Sequence, residues 1–445
     1  VTSPKNKALA ELLGRLPSAP AYWVAYSGGV DSHVLLHLLW QQRAGLPGPL
    51  GAVHVNHQLQ GQSGDWEIHC RAVCEELGVA FHILKVDAHP RPGESPEAAA
   101  RTARYRGLAD WLGEDQVLVT GQHLDDQAET LLLQLFRGAG PRGLAAMPER
   151  ASFGRGRLVR PLLSVRRNQI LAYAHQERLR WVEDPSNTDL RYHRNLLRQR
   201  LMPELQQHWP GIASVLARAA WHQADQLELA DTVARQDFDV CALSSGRCLS
   251  RSALAELSPA RARNLLRYWT AVNALPLPPQ ATVERMRREI LDSREDACPR
   301  VHWPGAEVRR HRDRLYLMSP LPQMQRDQCH PWDPRAALVL QDARGELSAR
   351  PVLGRGLRMP QGSRVEVRFR CGGEALQPAG RGHRHALKKL FQEWAVPEWE
   401  RGRVPLLYVD DRLAAVAGLC VAEGFQAGPG EWGVELRWSR ILNWQ

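Results

Sequence analysis

At 445 residues the chain exceeds what one hydrophobic core ordinarily serves, so two or three domains are expected. Its 58 Lys and Arg outnumber 48 Asp and Glu, and the resulting +10 favours a polyanionic partner such as nucleic acid. No apolar run reaches the roughly twenty residues of a membrane span and no signal-peptide pattern is visible, so a soluble cytoplasmic protein without a membrane partner is expected. The eight cysteines are scattered, with no C-x-x-C and no clustered histidine pair at zinc spacing, and read as reduced, mostly buried thiols.

Taken in chain order, apolar strand-like runs alternate with helical patterns up to about residue 205. "YWVAYS", "LGAVHVNHQL", "VAFHILKVDA" and "VLVTGQH" read as buried strands, separated by helices such as "HVLLHLLWQQ", "DWEIHCRAVCEEL" and "PEAAARTARYRGLADWL". Pro96, directly after Ser95, marks one helix start. Such alternation implies an α/β fold, a doubly wound parallel sheet of Rossmann type. From about Met202 to Leu317 the texture becomes helix-rich and Arg-rich, which reads as a mostly α domain. "MSPLPQMQRDQCHPWDP" reads as a linker, and beyond it "RVEVRFR" and "VPLLYVDDRLAAVAGLCV" predict a small α+β domain with a hairpin turning at Asp410-Asp411 or just after. The expected domains are therefore 1–205, 206–320 and 335–445.

The first strand runs into Ser27-Gly28-Gly29-Val30-Asp31-Ser32 and then a helix. Adjacent glycines allow close backbone approach, and the helix start offers free N–H groups and partial positive charge, which is a phosphate-binding design. A serine-capped strand-to-helix turn is the plainer reading of the glycine pair alone. The strand "VLVTG" delivers "GQHLDDQAET" to the same sheet edge, where ligands collect. With a helix beginning near Leu124, Asp126 and Glu129 share a face and Asp125 is also adjacent to Glu129. Carboxylates there suit the positive helix end, and beside a nucleotide loop they suit Mg²⁺ or an ammonium group.

Arginines supply the opposite charge. In "EAAARTARYRG", Glu97, Arg101 and Arg104 fall on one helical stripe, which in isolation equally describes a solvated salt-bridged face. "DLRYHRNLLRQRL" clusters Arg191, Arg194, Arg198 and Arg200 with Tyr192 and His193, cationic and aromatic planes suited to a splayed single-stranded loop. Asp184, Pro185, Ser186 and Asn187 read as a turn leading there. "GHRHALKKLFQEW" carries Arg384, Lys388 and Lys389, either a backbone-contacting helix or an amphipathic helix covering a small sheet, two readings that hold together.

The hexapeptide resembles the pyrophosphate-binding loop of the N-type ATP pyrophosphatases, and it lacks the lysine of a Walker-type loop. Together with "GQHLDDQAET", "RGAGPRGLAAM", "RPLLSVRR", "WVEDPSN", "RNLLRQRLMPEL" and the C-terminal "ALKKLFQEWAVPEWERGRVPLLYVDDRLAAVAGL", it is similar to the tRNA(Ile)-lysidine synthase family. The resemblance implies ATP and Mg²⁺, free L-lysine and a CAU-anticodon isoleucine tRNA. In that reaction, the carbonyl oxygen at carbon-2 of the wobble cytidine attacks the α-phosphate with loss of pyrophosphate, and the lysine ε-amine then attacks carbon-2 and expels AMP. By that resemblance Ser27, Gly28, Gly29, Val30, Asp31, Ser32 and His57 bind ATP, and Asp31 and Asp125 hold Mg²⁺. Asp126 and Glu129 bind lysine, while Asp31, Arg101, Arg104 and Asp126 carry the chemistry. Arg191, Arg194, Arg198, Arg200, Arg384, Lys388 and Lys389 are the expected tRNA contacts, with the second and third domains choosing the tRNA. The family often has histidine in place of Gln122 and glycine in place of Gln58, so neither glutamine is given a role, whereas His57 and His123 remain. Cytidine thiolation usually needs the cysteine pair that this chain lacks, a non-catalytic nucleotide-sensing RNA binder needs no carboxylates near phosphate, and an amidotransferase-type synthetase needs an ammonia-producing domain not found here. A monomer and a homodimer are both compatible with the sequence.

Overall fold

The computed structural model describes residues 12–57, 63–90, 96–243, 246–294, 297–325, 327–343, 345–360 and 362–440, so Gln58 and Ser95 lie outside the described residues. The chain divides into two compact units, with the division between Leu229 and Ala230. That division lies inside the helix Ile212–Cys241, past residue 205, so the start of this helix belongs to the first unit. The reason is packing: Ala213 and Ala217 join Leu124, Ala128 and Leu132 in one apolar cluster and so attach the start of this helix to the first unit.

In the first unit the elements follow the expected alternation: β1 (Tyr22–Ala25), α1 (Val30–Gln41), β2 (Leu50–Asn56), α2 (Ser63–Leu77), β3 (Ala80–Lys85), α3 (Pro96–Trp111), β4 (Val117–Val119) and α4 (Leu124–Phe136). A hairpin of β5 (Arg150–Phe153) and β6 (Gly156–Val159) and the helix α5 (Arg167–Gln176) follow. The sheet order is β3-β2-β1-β4-β6-β5, parallel except for β5, and the reversal of chain order beside β1 is the kind of switch point at which ligands bind.

Alternation along the strands sorts side chains to the two faces. Tyr22, Val24, Ala52, Val117 and Val119 pack with Leu35, Leu36 and Leu39 of α1 and with Cys70 and Cys74 of α2. Val53, Leu118 and Leu158 face the other way, against Leu108 of α3 and Leu112 just after it. Burying one such leucine stabilises by about 1.5–3 kcal/mol, so both faces fix the sheet beneath its ligand edge. Further on, α6 (His193–Leu196) passes through a π-helical turn, Leu197–Leu201, into α7 (Met202–His208).

In the second unit the middle segment, expected to be mostly α, also carries a sheet. Helices Pro259–Val272 and Gln280–Arg285 do form, the first capped by the Ser258 side chain with Pro259 in its first turn. They share their core with a five-stranded antiparallel sheet, ordered Ala242–Leu243, Cys248–Ser250, Arg314–Met318, Ala306–His311 and Arg300–Trp303. Arg310, 0 % exposed, anchors the preceding loop by donating to the carbonyls of Ile290, Ser293, Arg294 and Ala297.

Toward the C-terminus, strands Leu406–Val409 and Arg412–Val416 form the expected hairpin, with Asp410 and Asp411 both left-handed at φ 47° and 61°. That geometry matches a type I′ turn, which aspartate tolerates. Cys70, Cys74, Cys241 and Cys248 are buried, while Cys298, Cys329 and Cys371 are exposed, against the expectation of mostly buried thiols.

Candidate active site

The loop after β1 is braced before any ligand is considered. Gly28 has φ +84°, and a Cβ there would stand 3.0 Å from Cys70 Sγ, so both conformation and space require glycine. The Ser32 hydroxyl donates to the Gly29 carbonyl at 3.0 Å, accepts the Ser27 N–H at 3.2 Å and lies 3.1 Å from Ser27 Oγ. The two serines, expected to bind phosphate, thus first brace the loop itself, Ser27 Oγ also accepting the Gly29 N–H at 3.4 Å, and direct the N–H groups at the α1 start toward the ligand edge. Gly121, at the end of β4, has no room for a side chain, because a Cβ would stand 3.0 Å from the Asp31 backbone carbonyl.

Asp31 sits in the first turn of α1, with Oδ1 buried and without a hydrogen-bond partner. Burial and the Asp126 charge push its carboxyl up from the ordinary range against the pull of His123, Arg167 and Arg198. A buried carboxylate oxygen left over in this way fits a divalent cation that takes its remaining ligands from phosphate and water. Asp125 fits less well: its Oδ2 accepts the Arg167 backbone N–H at 2.8 Å and is thereby turned toward α5. Among the described residues no group of three or more His, Cys, Asp and Glu side chains could hold a metal by itself.

His123, fully buried, caps α4. Its Nδ1 accepts the Asp126 N–H at 3.3 Å while the Asp126 carboxylate accepts the His123 N–H at 3.1 Å. An accepting Nδ1 puts the ring proton on Nε2, which lies 3.4 Å from Asp126 Oδ2 and 3.8 Å from Asp31 Oδ2. This histidine ties the phosphate loop to the carboxylate pair.

Asp126 and Glu129 do share a face of α4, and the structure brings Arg194 and Arg198 onto both of them. Glu129 accepts Arg194 Nε at 2.9 Å and Arg198 Nε at 2.7 Å; Asp126 accepts Arg194 Nη2 at 3.0 Å and Arg198 Nη2 at 2.7 Å. Two arginines expected to face RNA are therefore drawn inward, because buried carboxylates demand counter-charge. Burial alone would raise the Asp126 carboxyl, but His123, Arg194 and Arg198 outweigh it and hold it below the ordinary range. Asp126 is thus suited to remaining charged rather than to taking up a proton.

Of the other expected RNA contacts in this unit, Arg191 pairs with Asp189 at 2.7 Å on the surface and Arg200 is exposed. In the second unit Lys388 and Lys389 project from the helix Leu387–Glu393, whose Leu387, Leu390 and Phe391 are buried; Arg384 is exposed and donates to the Ala375 carbonyl.

On the opposite side of the phosphate loop Arg104 donates to His57 Nε2 from Nε at 3.2 Å. An always-charged arginine makes that nitrogen an acceptor, so His57 is neutral with its proton on Nδ1, and burial together with Arg104 and His54 lowers its pKa to about 4. Arg101 does not join Arg104 at His57; it stacks over the Tyr105 ring at 4.9 Å. The side chain of Glu97 is not among those described. Sequence reasoning passed over Arg160, Arg167 and Tyr105. The first two lie in the quoted "RPLLSVRR", where an arginine directly following an apolar strand was the available signal.

A parallel sheet with a glycine loop at its switch point, a carboxylate with a free buried oxygen and no Walker lysine defines the class of PP-loop ATP pyrophosphatases. Residues 2–205 match the PP-loop domain family, residues 249–316 the TilS substrate binding domain and residues 365–438 the TilS substrate C-terminal domain. Among curated relatives, a tRNA(Ile)-lysidine synthase of Coxiella burnetii is 41% identical over 426 residues, covering 96% of this chain and 94% of that one. Its counterpart in Methylococcus capsulatus is 43% identical over 422 residues, covering 94% and 96%. One from Serratia proteamaculans is 41% identical over 440 residues, covering 98% and 99%. The chain belongs to the tRNA(Ile)-lysidine synthase family.

Proposed function

We propose that this chain ligates L-lysine to carbon-2 of the wobble cytidine in a CAU-anticodon isoleucine tRNA, consuming ATP and releasing AMP and pyrophosphate. The observation that carries this reading is the match to lysidine synthases along almost the entire length of both chains. The alternatives of thiolation and of non-catalytic RNA binding have less support: no C-x-x-C is present, and Asp31 and Asp126 both flank His123 beside the glycine loop, where RNA binding alone needs no carboxylates.

In the first step the carbonyl oxygen on carbon-2 of the base attacks the α-phosphate and the bond to the β-phosphate breaks. Backbone N–H groups of Val30 and the following residues at the start of α1 hold the departing pyrophosphate, positioned by Ser27 and Ser32. Asp31 would hold Mg²⁺ through its free oxygen, which would neutralise charge as pyrophosphate leaves. Arg101 and Arg104 complement phosphate charge from α3. In the second step the ε-amine attacks carbon-2 and AMP departs. Asp126 and Glu129 are assigned to the ammonium groups of lysine, which they accept in exchange for an arginine, since a buried carboxylate pair holds either cation. Residues 1–205 carry the chemistry, and residues 206–320 and 335–445 carry tRNA selection, with Lys388 and Lys389 on the phosphate backbone.

The test is purified full-length protein with ATP, Mg²⁺, labelled lysine and transcripts of the isoleucine and methionine tRNAs. Label is expected on the isoleucine tRNA alone, with AMP and pyrophosphate in equal amounts. ATP cleavage without label in RNA refutes the proposal.

A further inference from the structure

The chemistry above leaves one built feature without a role. Arg160 follows β6 at the carboxyl edge of the sheet and is 7 % exposed. Its Nη1 donates to the Pro148 carbonyl at 2.8 Å, the Tyr105 phenol stands against its guanidinium, and its Nε is buried without a partner. Arg101 lies over the same tyrosine ring at 4.9 Å. The groups that act on Arg160 are Tyr105 and Arg101, with no carboxylate among them.

Two guanidinium groups gather on one phenol here, and one of them is buried. Burial disfavours the charge on Arg160 and the neighbouring Arg101 repels it, so both effects hold it below the ordinary arginine range. A buried cation without an anion is costly, and the missing charge is one that a ligand brings. The place agrees. Strand β6 is separated from β1 by β4 alone, so Arg160 stands about two strand spacings, roughly 10 Å, from the glycine loop along the edge where ligands bind. Helix α3 spans the same stretch, reaching His57 at the end of β2 through Arg104 and Arg160 at the end of β6 through Tyr105.

We propose that Arg160, oriented by Tyr105 and assisted by Arg101, forms a second phosphate subsite at the end of β6, distinct from the pyrophosphate loop. The ligand is a phosphate group, and its two sources are a phosphodiester of the bound RNA beside the reacting nucleotide and the α-phosphate of ATP. Lateral distance from the glycine loop favours the RNA. The subsite rests on the reading of the chain as an ATP-dependent tRNA-modifying enzyme.

The test uses full-length R160Q, R160K and Y105F, with folding checked by circular dichroism and melting, and measures ATP·Mg²⁺ binding and tRNA binding separately at several salt concentrations. With an RNA phosphate in the subsite, R160Q weakens tRNA binding about tenfold at low salt and reduces the salt slope by about 0.7–0.9, R160K retains the slope, and ATP binding is unchanged. With the ATP phosphate there, the ATP dissociation constant rises about tenfold in R160Q while the tRNA slope stays constant. Y105F, which keeps the ring under Arg101, moves the same constant in the same direction by a smaller factor. A folded R160Q with both constants unchanged overturns the subsite. So does an unfolded R160Q accompanied by a Y105F that binds both ligands as the parent does. Wild-type protein that binds both ligands yet forms no lysidine refutes the function without touching the subsite.

Discussion

Replacing Glu129 by glutamine tests the energetics at the centre of the site. Its side chain is 3 % exposed and accepts Arg194 Nε at 2.9 Å, Arg198 Nε at 2.7 Å and Arg198 Nη2 at 3.0 Å. Together with Asp126 it forms a balanced set of two carboxylates and two guanidiniums. E129Q conserves shape, removes one negative charge and turns an amide NH₂ toward N–H donors. Removing one partner of a buried pair costs about 3–5 kcal/mol. Here Asp126 remains, and the guanidiniums at 26 % and 31 % exposure are partly solvated, so about 2–3 kcal/mol is expected. In a unit of this size that lowers the melting temperature by about 4–12 °C. Urea titration followed by circular dichroism measures it, and the double variant E129Q/R198M, with charge balance restored, should lose at least about 1 kcal/mol less than the sum of the single losses. An E129Q protein within about 0.5 kcal/mol of the parent refutes the argument.

Asp31→Asn should abolish pyrophosphate release while leaving tRNA affinity within about twofold, since RNA binding is spread over many contacts; normal pyrophosphate release removes Asp31 from the mechanism. His33, 5 % exposed, is lowered by burial from 6.5 to about 4. Because the folded pKa lies below the unfolded one, stability is intact above pH 6.5 and falls as pH drops toward 4, by about 2 kcal/mol between pH 7 and pH 5, and His33→Phe should remove that part of the pH dependence in urea titrations. Arg310→Leu leaves four loop carbonyls without their guanidinium donor and should destabilise the second unit by about 3–5 kcal/mol, read as a lowered urea midpoint; a midpoint equal to the parent's would contradict the anchoring role. Replacing Lys388 and Lys389 together by alanine should reduce the salt slope of tRNA binding by up to about 1.8 with unchanged ATP affinity, and an unaltered slope excludes them as phosphate contacts.

Local chemistry made much of the first unit legible. Apolar runs bounded by turn residues located β1 to β4, the glycine pair marked the phosphate loop, and Leu124 opens α4 where the carboxylate spacing required a helix start. Asp410-Asp411 gave away its hairpin because the turn and its tolerant residues are adjacent in the chain. The middle sheet escaped notice for a local reason too: "EVRRHRDRLYL" mixes arginines with apolar residues and turns at Arg312, φ 54°, without a glycine or asparagine to mark it.

What the chain order alone determined was the residue inventory of each element and the edge of the sheet to which the motifs are delivered, because both depend on neighbours a few positions apart. Only the tertiary structure decided the partners. Arg194 and Arg198 reach carboxylates 65 to 72 residues away, Asp125 turns to the Arg167 backbone while Asp126 turns to His123, and Arg160 meets a tyrosine on α3. Helical spacing places a side chain on a face, but which charge it meets depends on what the rest of the chain packs against that face, and burial then makes the pairing obligatory.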